Sequence, residues 1–126
     1  MVTAKPPSLW IRLDLRPRGQ VGPGKIELLR KVQETRSISA AARALDMSYR
    51  RAWMLLDQMN KTFREPVVQT SIGGRERGGA APTPFGAELI ALYDAVAAKS
   101  AAAAAEELAA LQRMAATDDA AEPPSA

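Results

Sequence analysis

The chain of 126 residues contains neither cysteine nor histidine. Disulfide bonds and thiolate nucleophiles are therefore excluded, and the usual side-chain ligands of zinc are missing. Catalytic arrangements that depend on histidine or cysteine are excluded for the same reason. An enzyme would need a site built from carboxylates or lysine, and the sequence shows no convergent cluster of such residues. We therefore expect a protein that is not an enzyme, uses no cofactor and binds no metal ion.

Long apolar runs are also missing. No run approaches the roughly 18 apolar residues that a membrane span needs. The N-terminal sequence MVTAKPPSLWIRLDL lacks the continuous apolar stretch of a signal peptide. Apolar residues make up 47% of the chain, but 25 of the residues counted as apolar are alanine. The sequence therefore predicts a cytoplasmic protein that makes no contact with a membrane.

Charge and alanine divide the chain at the same place. Residues 1–84 carry 15 basic and 7 acidic side chains, a net charge of +8, whereas residues 85–126 carry 2 and 7, a net charge of −5. The second part also holds 17 of the 25 alanines. A compact basic segment is typical of proteins that bind nucleic acid, although a solvated surface that only maintains solubility is the alternative. We expect a basic domain over residues 1–83, an alanine-rich helix over 84–116 and a disordered tail over 117–126.

The basic part begins with a predicted strand and a predicted helix. Leu9, Ile11, Leu13 and Leu15 recur at a period of two, as in a half-buried strand, and the sequence RPRG ends that strand. The sequence GPG follows after a short interval. Apolar residues at helical spacing then predict a helix over about residues 25–36.

A helix-turn-helix follows over residues 39–63. Its first helix is short and rich in small residues, which lets another helix approach closely, and Ser39 is its predicted N-cap. Ser48 is the predicted N-cap of the second helix, which runs to about Phe63. The predicted buried stripe of this second helix is Ala52, Leu56, Met59 and Phe63.

A two-stranded ribbon and a long helix complete the pattern. The segments 67–72 and 80–83 are the two predicted strands, and GGRERGG between them is a flexible turn with half of the eight glycines. Thr83 then caps a helix with Pro84 at its first position, where a missing N–H costs nothing. This order of elements predicts a fold that is mainly α with a small β-wing. It is a winged helix-turn-helix followed by a long linker and dimerisation helix.

The helix-turn-helix points to double-stranded DNA as the partner. In this motif the N-terminal residues of the second helix face the major groove. Arginine can hydrogen-bond guanine bidentately or bind a phosphate, and a serine at a helix N-terminus suits a phosphate oxygen. Two further arginines lie among the glycines of the wing, and we expect them to contact DNA as well. The predicted DNA-binding residues are Ser39, Ser48, Tyr49, Arg50, Arg51, Met54, Arg75 and Arg77.

The segment SISAAARALDMSYRRAWMLLDQMN resembles the N-terminal DNA-binding domain of the ModE family of bacterial molybdate-responsive transcription regulators. That domain is in turn similar to the winged helix-turn-helix of LysR-type regulators. The resemblance continues through GGRERGGAAPTPFGAELIALYDAV and covers roughly residues 9–100. It implies that the third helix reads bases, that the wing touches the backbone or minor groove, and that the long helix forms a homodimer.

The alanine-rich helix itself favours a partner helix, because it has no apolar core of its own. The predicted dimer contacts are Phe85, Leu89, Leu92, Tyr93 and Val96. Members of the ModE family carry C-terminal domains that bind molybdate. The residues after 100 are mostly alanine and acidic, so we expect no molybdate binding from this chain.

Two further interpretations remain open at this stage. The chain could be a nucleoid-type or adaptor protein that uses the winged-helix fold for non-specific DNA or protein binding, rather than a sequence-specific regulator associated with the nucleoid. Trp53 lies beside the buried stripe and could belong to the core, to a dimer surface or to a contact with the DNA backbone; we expect the core or a partner. The glycine-rich turn lacks the Gly-Lys-Ser/Thr ending of a phosphate-binding loop, so a nucleotide site is not expected there.

Overall fold

A computed structural model describes residues 8–70 and 79–116 of the chain. Within these ranges the chain forms helices and short strands in the order that the sequence predicts, with one additional strand and one additional helix, and the predicted fold class is confirmed. Arg75, Arg77 and the predicted tail lie outside the described residues. The elements are β1 (Leu13–Asp14), β2 (Gln20–Val21), α1 (Pro23–Thr35), α2 (Ile38–Ala44), α3 (Tyr49–Thr62), β3 (Val68–Thr70), β4 (Ala80–Pro82), α4 (Pro84–Ala103) and α5 (Ala105–Met114).

The core lies where the first three helices meet. Ala41, Ala42 and Ala52 are buried at these contacts, and their small side chains let the helices approach closely. The predicted stripe of α3 is confirmed, since three of its members are buried and Phe63 packs against the core with partial exposure. The larger buried side chains of the three helices are Ile26, Leu28, Leu29, Val32, Ile38, Leu56 and Met59.

The N-terminal segment forms a short hairpin instead of the longer strand predicted over residues 9–15. Only β1 pairs, antiparallel with β2, and Leu13 lies opposite the fully buried Val21. The chain reverses directly after β1, where the N–H of Leu15 donates to the carbonyl oxygen of Gly19 at 2.8 Å. In this register residues 9–12 would lie opposite residues 22–25. Because α1 begins at Pro23, the alternation before Leu13 meets no strand there. The strand β2 is too short to show a period of its own, so the sequence did not predict it.

The wing joins α4 through a close approach of two backbones. Strands β3 and β4 pair antiparallel, and the Thr83 side chain accepts a hydrogen bond from the N–H of Gly86 at 3.0 Å. Thr83 is thus the N-cap of α4 and Pro84 its first residue, as predicted. A Cβ atom at Gly86 would overlap the carbonyl oxygen of Val67. Only glycine fits this position without moving the backbone of the wing.

The N-terminal half of α4 is fixed to the domain by polar and apolar contacts. Arg30 of α1 binds both carboxylate oxygens of Asp94 at 2.9 and 3.0 Å. This hydrogen bond is the main cause that lowers the pKa of the Asp94 carboxyl below its ordinary value. The hydroxyl of Tyr93 donates to the carbonyl oxygen of Ile11. These contacts hold α4 at a set orientation relative to α1 and the N-terminal hairpin.

The alanine-rich segment forms two helices, where the sequence predicted one. Ala104, with φ −103° and ψ 18°, separates α4 from α5. α5 contains no buried residue, and α4 buries side chains only in its N-terminal half. Across residues 8–70 and 79–116, no helix combines the length and the hydropathy needed to cross a membrane.

Candidate nucleic-acid interface

The turn between α2 and α3 is short and held by backbone hydrogen bonds. The N–H of Met47 donates to the carbonyl oxygen of Ala42 at 2.9 Å, and Asp46 adopts the left-handed conformation with φ 58°. Aspartate tolerates this conformation better than most side chains. Leu45 and Met47 pack against the core on either side of Asp46. The start of α3 is therefore fixed relative to α2.

One of the two predicted serine caps is confirmed and the other is wrong. The Ser48 hydroxyl accepts a hydrogen bond from the N–H of Arg51 at 3.0 Å, so Ser48 caps α3. The cap of α2 is Ser37, which accepts from the N–H of Ala40 at 3.1 Å. Ile38 is buried in the core, which places the start of the helix directly before it. Ser39 is instead the second residue of α2, with an exposed side chain.

The exposed residues at the start of α3 point in three directions. A helix turns by about 100° per residue. Relative to the buried stripe, Arg50 and Met54 therefore lie on the far side, which we call the outward face. Arg51 points toward the N-terminal hairpin, and Tyr49 and Trp53 point toward the wing. All five side chains are exposed, with Met54 at 44% and Tyr49 at 54%. The cluster that the sequence suggested is thus divided over three faces.

A cleft separates α3 from the wing. Trp53, Asp57 and Asn60 line one wall, and Gln69 and Thr70 of β3 line the other. Asn60 closes the base, because its side-chain oxygen accepts the N–H of Val67 at 2.7 Å. Trp53 is 48% exposed, so the expectation that it could be a core residue is wrong. A contact with a partner chain or with the DNA backbone remains.

A second depression, which we call the hairpin groove, lies on the opposite side of α3. Arg12, Lys25 and Arg51 contribute its three cationic side chains. Arg12 donates a hydrogen bond to the side-chain oxygen of Gln20 at 3.0 Å. Lys25 donates one to the backbone carbonyl oxygen of Gln20, also at 3.0 Å. Sequence reasoning missed Arg12 and Lys25, because only the pairing of β1 with β2 brings them beside α3. The remaining lining residues are Gly19, Gln20, Gly22, Pro23, Gly24, Met47 and Leu55.

The predicted dimer contacts divide into buried and exposed residues. Leu89 and Tyr93 are buried against their own domain. Phe85 is partly buried and packs edge-to-face on Phe63, with ring centroids 6.2 Å apart. Leu92 is 59% exposed and Val96 41%. The free apolar surface of α4 therefore consists of Leu92 and Val96 rather than of all five residues.

Known proteins are similar to this chain in sequence. The molybdenum-pterin-binding protein MopB of Rhodobacter capsulatus is 42% identical over 83 residues, covering 66% of this chain and 31% of MopB. The transcriptional regulator ModE of Yersinia pestis is 39% identical over 89 residues, covering 71% and 34%. The DNA-binding transcriptional dual regulator ModE of Escherichia coli K12 is 34% identical over 89 residues, with the same coverage. The chain spans about a third of the length of these curated relatives.

These similarities confirm the resemblance to ModE proteins and the expectation of a regulatory protein rather than an enzyme. Residues 24–87 match the family model of bacterial regulatory helix-turn-helix proteins of the lysR family. That stretch contains all but the first residue of α1, both helices of the helix-turn-helix, the wing strands and the start of α4. The chain therefore belongs to the bacterial regulatory helix-turn-helix proteins of the lysR family.

Proposed function

We propose that the chain is a dimeric, sequence-specific DNA-binding transcription regulator. The observation that carries the proposal is the outward face of α3. Its residues Arg50 and Met54 are exposed on a helix whose opposite side is anchored in the core, next to a rigid turn. A helix presented in this way can enter the major groove without any rearrangement of the domain.

The three faces of α3 support a division of tasks. Arg50 lies at the centre of the outward face, where it can bind the O6 and N7 atoms of guanine, and Met54 can pack on a thymine methyl group. Tyr49 and Trp53 lie toward the wing, where they can touch sugar and phosphate. Ser48 is exposed at the N-terminus of α3, where a phosphate oxygen can approach its hydroxyl. The exposed hydroxyl of Ser39 can donate to a second phosphate oxygen.

The wing adds affinity to this recognition. Its base is fixed next to α2, since the N–H of Ala80 donates to the carbonyl oxygen of Arg36 at 3.0 Å and Gly79 pairs with Ser37. Arg75 and Arg77 follow β3 in the sequence and lie outside the described residues. Their charge and their glycine-rich surroundings suit contacts to phosphates or the minor groove, which position a domain without reading its sequence.

The homodimer in this proposal forms through α4 and α5. Leu92 and Val96 are four residues apart on one side of α4, and α5 buries nothing within its own chain. Helices with so little tertiary packing gain stability from a partner helix. Residues up to 83 then act as the DNA-binding unit, and residues 84–116 connect two such units across half-sites about one helical turn of DNA apart.

The proposal assigns no molybdate site to residues 84–116, although one relative, MopB, is named as a molybdenum-pterin-binding protein. Recognition of a dianion needs several convergent donors in a dehydrated pocket. Alanine supplies 11 of the 30 residues of α4 and α5. Four acidic residues, Glu88, Asp94, Glu106 and Glu107, outnumber the two basic residues, Lys99 and Arg113. Calorimetry of this chain with sodium molybdate should therefore show no binding beyond that of a sulfate control. Micromolar binding selective for molybdate would contradict this part of the proposal.

The experiment that tests the function is selection of bound duplexes from a random DNA library, followed by titration at several salt concentrations. A regulator should enrich one motif with two related half-sites, and its affinity should fall steeply between ~50 and ~200 mM KCl because phosphate contacts release counterions. Salt-dependent binding without an enriched motif would favour the alternative of a nucleoid-type protein. Binding that does not change with salt would remove DNA as the main ligand.

A further inference from the structure

We propose that the hairpin groove binds a backbone phosphate of DNA outside the base pairs that α3 contacts, so that the N-terminal hairpin acts as a second wing. This inference rests on the proposed function, because it requires α3 to lie in the major groove. It assigns a role to Arg12 and Lys25, and it separates the role of Arg51 from that of Arg50.

The charges of the groove carry the first step. Arg12, Lys25 and Arg51 come from three separate segments of the chain and converge on one depression. The groove is lined by no acidic side chain within the described ranges. These three cations also form no salt bridge with any residue that the structure describes, in contrast to Arg30 and Lys31 of α1. A site of this composition attracts an anion.

Donors for that anion remain after the internal hydrogen bonds are made. Arg12 and Lys25 each give one hydrogen bond to Gln20. A guanidinium group has five N–H donors and an ammonium group three, so both side chains keep donors that can face a phosphate. Through these two bonds Gln20 holds the cations in position. The groove is therefore partly organised before DNA arrives.

The groove is also rigid and open. Val21 is fully buried beneath it, and Gly19 lies so close to α3 that a Cβ atom there would be 2.7 Å from the hydroxyl of Thr62. These contacts fix the hairpin on the flank of α3. At the opposite edge, a Cβ atom at Gly24 would meet nothing within 4 Å. A phosphate can reach the cations from that edge.

The position of the groove identifies the anion as DNA backbone. The major groove is bordered by two phosphate strands, about 12 Å apart. When the outward face of α3 lies between them, the wing-side cleft faces one strand and the hairpin groove faces the other. Arg51 follows Arg50 directly and is rotated by about 100° toward the hairpin. Arg51 is therefore directed at the DNA strand that faces the hairpin groove and not at the floor of the major groove.

The test combines a double variant with two lengths of DNA. Arg12→Gln with Lys25→Gln removes two charges from the groove. Lys31→Gln with Arg64→Gln removes two charges that lie outside the groove and outside α4 and α5, and serves as the matched control. Each pair is titrated, in the full chain, against a selected site with flanking base pairs and against the same site trimmed to the base pairs that α3 covers. Thermal unfolding and sedimentation confirm that all variants fold and have the same oligomeric state.

Trimming should lower the affinity of the wild-type chain about tenfold. It should lower the affinity of the groove variant, Arg12→Gln with Lys25→Gln, less than about twofold, because that variant no longer binds the flanking phosphate. The slope of log affinity against log salt should fall by about one unit for each groove that is neutralised. The charge-conserving pair Arg12→Lys with Lys25→Arg should restore both properties, which also covers the case in which the glutamine pair folds poorly.

Equal responses of the groove variant and the control to trimming would overturn the inference while leaving the proposed function intact. A wild-type chain that binds neither duplex in a salt-dependent manner would overturn both.

Discussion

Helices α3 and α4 both bury one side in the same domain, but they leave different kinds of surface exposed. Around its first turns α3 exposes Tyr49, Arg50 and Arg51. α4 exposes Leu92 and Val96 among alanines. Charged and hydrogen-bonding side chains suit DNA, whereas a flat apolar stripe suits a second helix. The side chains that each helix leaves outside its own core thus support the partner proposed for it.

The two helices also differ in how they are held. α3 is fixed through its buried stripe and the Ser48 cap. α4 is fixed only over its first turns, by Gly86, Tyr93 and Asp94, and continues without buried residues. Changes at the contacts of Gly86, Tyr93 and Asp94, which we call the α4 junction, should therefore damage the fold. Changes at the exposed residues Leu92 and Val96 should affect only association.

The largest expected effect is at the junction. Gly86→Ala places a methyl group against the backbone of Val67 and should destabilise the domain by about 2 kcal/mol or more. The matched control is Gly24→Ala, where the new methyl group meets nothing within 4 Å. This control should change stability by less than about 1 kcal/mol, in the favourable direction. Urea unfolding followed by circular dichroism measures both. Equal stability of the two variants would show that the close approach is not a constraint.

The next effect concerns association through α4. Leu92→Glu combined with Val96→Glu should convert the dimer to a monomer with an intact fold, because two charges then lie on the apolar stripe. Ala91→Glu adds a charge to another side of the same helix and should leave the dimer in place. Sedimentation equilibrium at micromolar concentration distinguishes these outcomes. A wild-type chain that is already monomeric there would contradict the comparison.

A smaller effect is expected from the wing. Replacement of Arg75 and Arg77 by alanine should weaken binding to every duplex and lower the salt slope by about one unit for each phosphate that the variant no longer neutralises. The preferred sequence should stay the same, because these residues position the domain and do not read bases. Repetition of the library selection with this variant checks the point. A changed motif would mean that the wing takes part in reading.

The smallest effect concerns the ion pair between α1 and α4. The pKa of Asp94 is lowered in the folded chain, so the pair stabilises the fold above the unfolded pKa of an aspartate and loses this contribution as pH falls through the folded value. Both side chains are partly exposed, which limits the contribution to about 1 kcal/mol. Asp94→Asn should remove it at neutral pH and flatten the acid limb of the stability curve below pH ~4. An unchanged acid limb would show that the pair does not contribute.

Several features of the fold could be predicted from sequence because they depend on local rules. Capping chemistry predicts the Ser48 and Thr83 caps and Pro84 at the first position of α4. Helical spacing predicts the buried stripe of α3. The cap of α2 was misplaced by two residues, because two serines flank Ile38 and only its burial decides between them.

The features that sequence reasoning missed depend on contacts between distant segments. The hairpin groove forms only when β1 pairs with β2 beside α3, which no local pattern signals. The burial of Leu89 and Tyr93 depends likewise on how α4 packs on α1. Spacing alone could assign these residues to an apolar stripe, but it could not separate the part used internally from the part that remains free.

The central claim is that the outward face of α3 reads the sequence and its hairpin side does not. Arg50→Ala and Arg51→Ala remove the same side chain from neighbouring positions of one helix turn, so each is the control for the other. Fluorescence anisotropy should compare each variant on the selected duplex and on a scrambled duplex of equal length. Arg50→Ala should lose about 1–3 kcal/mol more on the selected duplex than on the scrambled one. Arg51→Ala should lose the same amount on both. Equal losses on the two duplexes for Arg50→Ala would contradict the account.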